Sequence, residues 1–139
     1  MAWRDFAERN PDLPVGFVIQ SATKSELPQE VLDAYEAPFP TVESKAGAAQ
    51  FPLLVPLDEG DPGAPEMRAV SEHLARWKKP ALVCFSDSDP IFTPRAGQRF
   101  KDHIPGAAPL SVIEGAAHFL QEDKGEEIAG AIDEFLTSA

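Results

Sequence analysis

The 139 residues carry 23 acidic against 12 basic side chains, a net charge of −11, which argues against a nucleic-acid or anionic-membrane partner. A hydrophobic fraction of 43% can furnish one core, but no apolar run approaches the roughly 20 residues of a membrane span, and no basic, apolar leader resembles a secretory signal. A single cysteine, Cys84, excludes an internal disulfide and any cysteine-based zinc site, so the expectation is one domain-sized, reduced, cytoplasmic chain.

Nine of the 14 prolines lie between Pro11 and Pro65, so an irregular front part is expected ahead of an orderly back part. Residues 3–10 suggest a short helix with Trp3 and Phe6 on one face. "PDLPVGFVIQSA" holds two prolines and a glycine that forbid a long element. "PQEVLDAYEA" reads as a helix with Pro28 in its first turn, where a missing N–H costs nothing. Residues 37–65 read as loops and short helical turns, broken by Pro38, Pro40, Pro52, Pro56, Pro62 and Pro65. Beyond Pro65, Met67, Val70, Leu74 and Trp77 follow helical spacing, which makes Trp77 a core residue. "ALVCFS", 81–86, is a short continuous apolar run expected as a buried parallel strand. Thr93 caps a helix from Pro94 to about His103, "LSVIE", 110–114, is the next strand, and a last helix starts near Gly125. His73 and His103 have charged helical neighbours and read as solvated.

Helix, strand, helix, strand, helix implies two parallel neighbouring strands joined by a crossover. Open α/β sheets carry their chemistry in loops at the carboxyl ends of strands, here "DSDPIFTP" and "GAAHFLQ". That brings Asp89 and His118 to one sheet edge, although 29 positions separate them. A carboxylate there can accept the Nδ1–H of the histidine, fix its tautomer and stabilise the imidazolium formed when Nε2 takes a proton. Gly115, Ala116 and Ala117 leave room for the ring. A lone loop histidine can be a mere surface residue, and Asp87 and Asp89 can be turn formers; the compound pattern of two strands, two loops and two helices favours an acid–base pair. Asp87 is the rival acid, with Asp89 preferred because it directly precedes Pro90.

"PALVCFSDSDPIFTP" with "GAAHFLQEDKGEEIAGAIDEFL" resembles the C-terminal end of an α/β-hydrolase. "AWRDFAERNPDLPVG", "LDAYEAPFP" and "KAGAAQFPLLVP" resemble the later cap of haloalkane dehalogenases. The resemblance covers nearly the whole chain and implies a partial α/β-hydrolase fold: part of a helical cap over 1–56, then the C-terminal part of the core over 57–139, with two parallel strands and flanking helices. It further implies Asp89 as the triad acid, His118 as the base, Trp3 as a halide-binding indole, and Phe51, Pro52, Val55, Ile91 and Phe92 as pocket lining. An indole is donor-only, so it can solvate an anion without competing as a nucleophile. No cofactor or metal is implied; the substrate is a small haloalkane and the product a halide ion.

The family's mechanism also needs a carboxylate nucleophile on a strand–turn–helix elbow ahead of the cap, and no such elbow stands in these residues. Cys84, Ser86 and Ser88 lack its geometry. The chain therefore reads as a C-terminal half that supplies acid, base and halide contact and is inactive alone. Two parallel strands cannot close a sheet, so a complementary N-terminal half or a second copy is expected as partner. Two alternatives stay open. One is a half of another cap-bearing hydrolase such as an epoxide hydrolase, for which only Tyr35 offers a phenol; the other is an inactive oligomeric module.

Overall fold

The computed structural model describes residues 2–138, which divide into two compact units. One contains the residues up to 18 and 28–71; the other contains 19–27 and the residues from 72 onward.

The first unit is helical. Helix α1 (Ala2–Arg9) packs on the short helix α4 (Ala46–Gln50) and on the 3₁₀ turn Phe51–Leu54. Arg4 Nη1 donates to Val55 O at 3.3 Å. Helix α2 (Val15–Ser21) is short, as the two prolines and the glycine require. It is seven residues long, and Pro14 lies just ahead of it, where a missing N–H is no loss. Gly16 sits in its first turn, and the N–H that such a turn leaves unpaired donates to Glu36 Oε1 at 2.6 Å. Helix α3 (Gln29–Glu36) starts one position later than the sequence suggested: Pro28 is the cap, and its carbonyl accepts the N–H groups of Val31 and Leu32. Lys45 Nζ lies 2.8 Å from Asp12 and 3.9 Å from Glu36.

Helix α5 (Ala64–Leu74) follows, and here one expectation fails. Trp77 is 43% exposed rather than part of the core. The helix ends at Leu74, Arg76 and Trp77 are held in turns by the carbonyls of His73 and Leu74, and the Lys79 ammonium sits 5.7 Å from the Trp77 ring centroid. Met67 and Val70, inside the helix on the same stripe, are exposed as well, so the apolar spacing marks a face that these residues alone do not cover. His73 and His103 are both exposed.

The second unit carries the sheet. Strand β1 (Cys84–Ser86) pairs in parallel with β2 (Ser111–Ile113), in the register Cys84↔Ser111, Phe85↔Val112, Ser86↔Ile113. Both are shorter than their apolar runs; Ala81 makes only an isolated bridge to Ala107. Helix α6 (Pro94–His103) forms the crossover, with Thr93 at its cap and no side-chain capping bond. It approaches β1 closely: a methyl group on Gly97 would lie 2.8 Å from the Phe85 ring. Helix α7 (Leu120–Ser138) begins before Gly125, and its helical geometry breaks at Lys124 (φ −143°, ψ 38°). Val83, Ile104, Ile113 and Ala116 are buried, whereas Ile132 and Leu136 on α7 are exposed.

Candidate active site

Both candidate chemical groups stand just past the carboxyl ends of the two strands. The acid loop leaves β1 after buried Ser86, and the histidine loop leaves β2 after buried Ile113. Asp87 N–H donates to Ile113 O at 3.0 Å and Ser88 N–H to Ala116 O at 3.1 Å, so the parallel pairing continues into the loops themselves.

Asp89 is 6% exposed, and its two oxygens have separate partners. Oδ1 accepts the N–H groups of Ile91 at 2.7 Å and Phe92 at 3.0 Å. Oδ2 lies 2.8 Å from His118 Nδ1. Pro90 between them fixes its own φ and has no N–H to compete. Burial pushes the Asp89 carboxyl up, but the Ile91 and Phe92 N–H groups and His118 outweigh it and hold the carboxyl below its usual range. The pair is therefore an anionic acid beside an imidazole whose Nδ1 is engaged, which leaves Nε2 as the nitrogen free to take a proton.

The His118 ring stacks on Phe92 (centroids 5.5 Å apart, 18°) and meets Phe119 edge-on at 5.3 Å. Its side chain is 32% exposed. Both His118 and Asp89 line a cleft of about 150 Å³, together with Cys84, Phe85, Ser86, Phe92 and Leu120. The walls are mainly apolar. Ile91 is exposed and is not among the lining residues.

Asp87, the rival acid, has another task. Its Oδ1 accepts Gly115 N–H at 3.0 Å and the Ser88 hydroxyl at 2.8 Å, and those bonds, the Gly115 N–H foremost, lower its pKa. Gly115 adopts φ +75°, a backbone conformation that costs a side-chain-bearing residue strain. Lys24 Nζ donates to Ser88 Oγ at 3.1 Å. The sequence reading missed Asp123, which accepts Ala117 N–H at 2.9 Å. Asp123 stands in the first turn of α7, where an acid is commonplace in sequence.

In the first unit, Trp3 is 40% exposed and stacks on Phe6 with centroids 5.7 Å apart. Its helix packs on the turn that carries Phe51 and Pro52. Pro52 is buried; Phe51 and Val55 are exposed. Among the described residues, no three His, Cys, Asp or Glu side chains are grouped as a metal site, and no helix is long and apolar enough to cross a membrane.

Parallel strands whose carboxyl-end loops pair an acid with a histidine, later in the chain than a helical segment, make a partial α/β-hydrolase fold. No family model matches the sequence, but whole-chain comparisons are specific. The chain is 42% identical over 136 residues to a haloalkane dehalogenase of Psychrobacter cryohalolentis, covering 96% of this chain and 45% of that protein. It is 46% identical over 129 residues to haloalkane dehalogenase 1 of Mycobacterium tuberculosis, covering 91% and 42%. Among solved structures it superposes on the tetrameric haloalkane dehalogenase DpaA of Paraglaciecola agarilytica with a TM-score of 0.84, at 27% identity and 94% and 44% coverage. It shares its fold with DbeA of Bradyrhizobium elkani at a TM-score of 0.80. The chain is similar to haloalkane dehalogenases and spans less than half the length of the curated relatives it matches.

Proposed function

We propose that this chain contributes the acid–base pair, the halide contact and part of the substrate cleft of a haloalkane dehalogenase. The observation that carries the reading is the 2.8 Å contact between Asp89 Oδ2 and His118 Nδ1 beside an apolar cleft. In the reaction, a carboxylate from a segment outside these residues attacks the halogen-bearing carbon. The new C–O bond forms as the C–halogen bond breaks, and halide leaves. His118 Nε2 then takes a proton from water while the oxygen of that water attacks the ester carbonyl. As the C–O bond to the alkyl group's oxygen breaks, the imidazolium returns the proton to that oxygen, the alcohol leaves, and the carboxylic acid loses its proton to solvent to regenerate the carboxylate. Asp89 keeps Nδ1 protonated and stabilises the imidazolium.

Trp3 offers its indole N–H to the departing halide, Phe51, Pro52 and Val55 supply apolar surface on the cap, and Phe92 lines the cleft beside His118; its neighbour Ile91, outside that cleft, has the same apolar role in this reading. Residues 1–56 belong to the cap and 57–139 to the core in this reading. The partner is a nucleophile-bearing N-terminal half or further copies of the chain, as in the tetrameric relative, in a cytoplasmic setting. The steps use side chains and water alone.

The test mixes the purified chain with the N-terminal half of the Psychrobacter cryohalolentis relative and follows halide release from a short haloalkane. Release is expected in the mixture, absent from either part alone, and abolished by His118→Ala. Release by the chain alone would sink the claim that the nucleophile comes from elsewhere. A mixture that opens epoxides and leaves haloalkanes intact would move the chain to the epoxide hydrolases.

A further inference from the structure

The histidine loop is gripped by an acid that takes no part in the Asp89–His118 pair. The Asp123 carboxylate accepts three backbone N–H groups: Ala117 on Oδ2 at 2.9 Å, Ser25 on Oδ1 at 2.7 Å, and Lys24 on both oxygens at 3.0 Å. Ala117 immediately precedes His118, whereas Lys24 and Ser25 lie 99 and 98 positions from Asp123 in sequence. On the other side of His118, Phe119 N–H donates to Ala22 O at 3.0 Å. The two residues that flank the histidine are therefore both tied to the turn 22–25, one through Asp123 and one directly.

That turn is braced internally. Gln20 Nε2 donates to Ser25 O at 2.9 Å and to Thr23 Oγ1 at 3.1 Å, while Gln20 Oε1 accepts Leu27 N–H at 2.9 Å. Burial pushes the Asp123 carboxyl up, but the N–H groups of Ala117, Lys24 and Ser25 prevail and keep it low, so the clamp is anionic at neutral pH.

We propose that Asp123 is a positioning residue: it docks the 22–25 turn on the histidine loop, so that His118 Nδ1 stays on Asp89 and Nε2 keeps a fixed aim. A carboxylate suits this place because both of its oxygens face donors. An asparagine would set its own –NH2 against a backbone N–H. The inference rests on the proposed base role of His118 for its catalytic meaning only; the geometry can be read without any reaction.

The experiment uses the full chain, labelled with ¹⁵N, and NMR of the imidazole N–H of His118, assigned by its loss in His118→Gln, together with the Ala117 amide. In Asp123→Asn both protons are expected to exchange with solvent roughly tenfold faster than in the wild type. Native far-UV circular dichroism should be retained. Asp123→Glu, which keeps the charge, should recover most of the protection, and Glu126→Gln should leave it unchanged. A folded Asp123→Asn in which both exchange rates stay within about twofold of the wild type overturns the proposal. If Asp123→Asn does not fold, Gln20→Ala loosens the bracing and leaves Asp123 in place. Faster His118 exchange there supports the clamp, and unchanged exchange overturns it. A dehalogenation assay that fails while these exchange changes appear would remove the reaction and keep the clamp.

Discussion

The acid loop and the histidine loop stand at the ends of adjacent strands, yet they are held by different means. Asp89 shapes its own loop, because Oδ1 accepts the N–H groups two and three residues ahead. Around His118 the backbone is pinned from outside: Gly115 by Asp87, Ala116 by Ser88, Ala117 by Asp123 and Phe119 by Ala22. One loop is a local turn that its own residues specify. The other gets its shape from three separate stretches of chain, so it should be the first to drift when a distant contact is lost.

The largest expected effect follows from cutting the self-held loop. Asp89→Ala removes the acceptor of two backbone N–H groups and the partner of His118 at once. Ile91 and Phe92 are exposed, so water can take over part of what their N–H groups lose, and unfolding in urea should show a loss of about 1–3 kcal/mol together with a loosened acid loop. Gly115→Ala tests the other loop. Its φ of +75° suits glycine, and alanine there should cost about 1–2 kcal/mol and weaken the Asp87 contact, read as a lower melting temperature.

A smaller effect is expected from pH. The folded-state pKa of Asp89 lies below the unfolded value of about 3.9, so its contribution is fully present well above that value. It is lost as the pH falls through the lower, folded value. Thermal unfolding followed from neutrality to strong acid should decline less steeply in Asp89→Asn than in the wild type. The smallest effect is expected for Asp87→Asn. Asp87 is exposed and its amide oxygen can still accept Gly115 N–H, so only a slight loss of stability should appear. A loss as large as that of Asp89→Ala would show the two loops to be held alike.

The same contrast explains what was legible in the sequence. The acid loop was readable because its partners are neighbours: "DSDPIF" contains the acceptor, the proline without an N–H, and both donors. The pairing of Asp89 with His118 followed once two apolar runs were read as parallel strands. The clamp was not readable, since Asp123 meets Lys24 and Ser25 across 99 and 98 positions and no local pattern ties them. Trp77 misled because helical spacing tells which residues share a face and not whether anything covers it: Met67 and Val70 on the same stripe are exposed too. Helix α2 is short, as its prolines and glycine require, and the carboxylate that satisfies Gly16 comes from Glu36, 20 residues on. The roles given to Trp3, Phe51, Pro52 and Val55 came from family resemblance alone, since no local pattern marks an indole as a halide donor.

The division of labour within Asp89 separates shape from chemistry at the level of single atoms. In Asp89→Asn, the amide oxygen can stay on the N–H groups of Ile91 and Phe92 and preserve the turn. The –NH2 then faces His118, and a donor there asks for a bare Nδ1, which moves the ring hydrogen to Nε2. The imidazole would stand in the same place with its donor and acceptor ends exchanged, presenting a hydrogen where a proton acceptor is required. ¹⁵N chemical shifts of the ring distinguish the two tautomers directly, so one substitution should leave the scaffold intact and turn the base around.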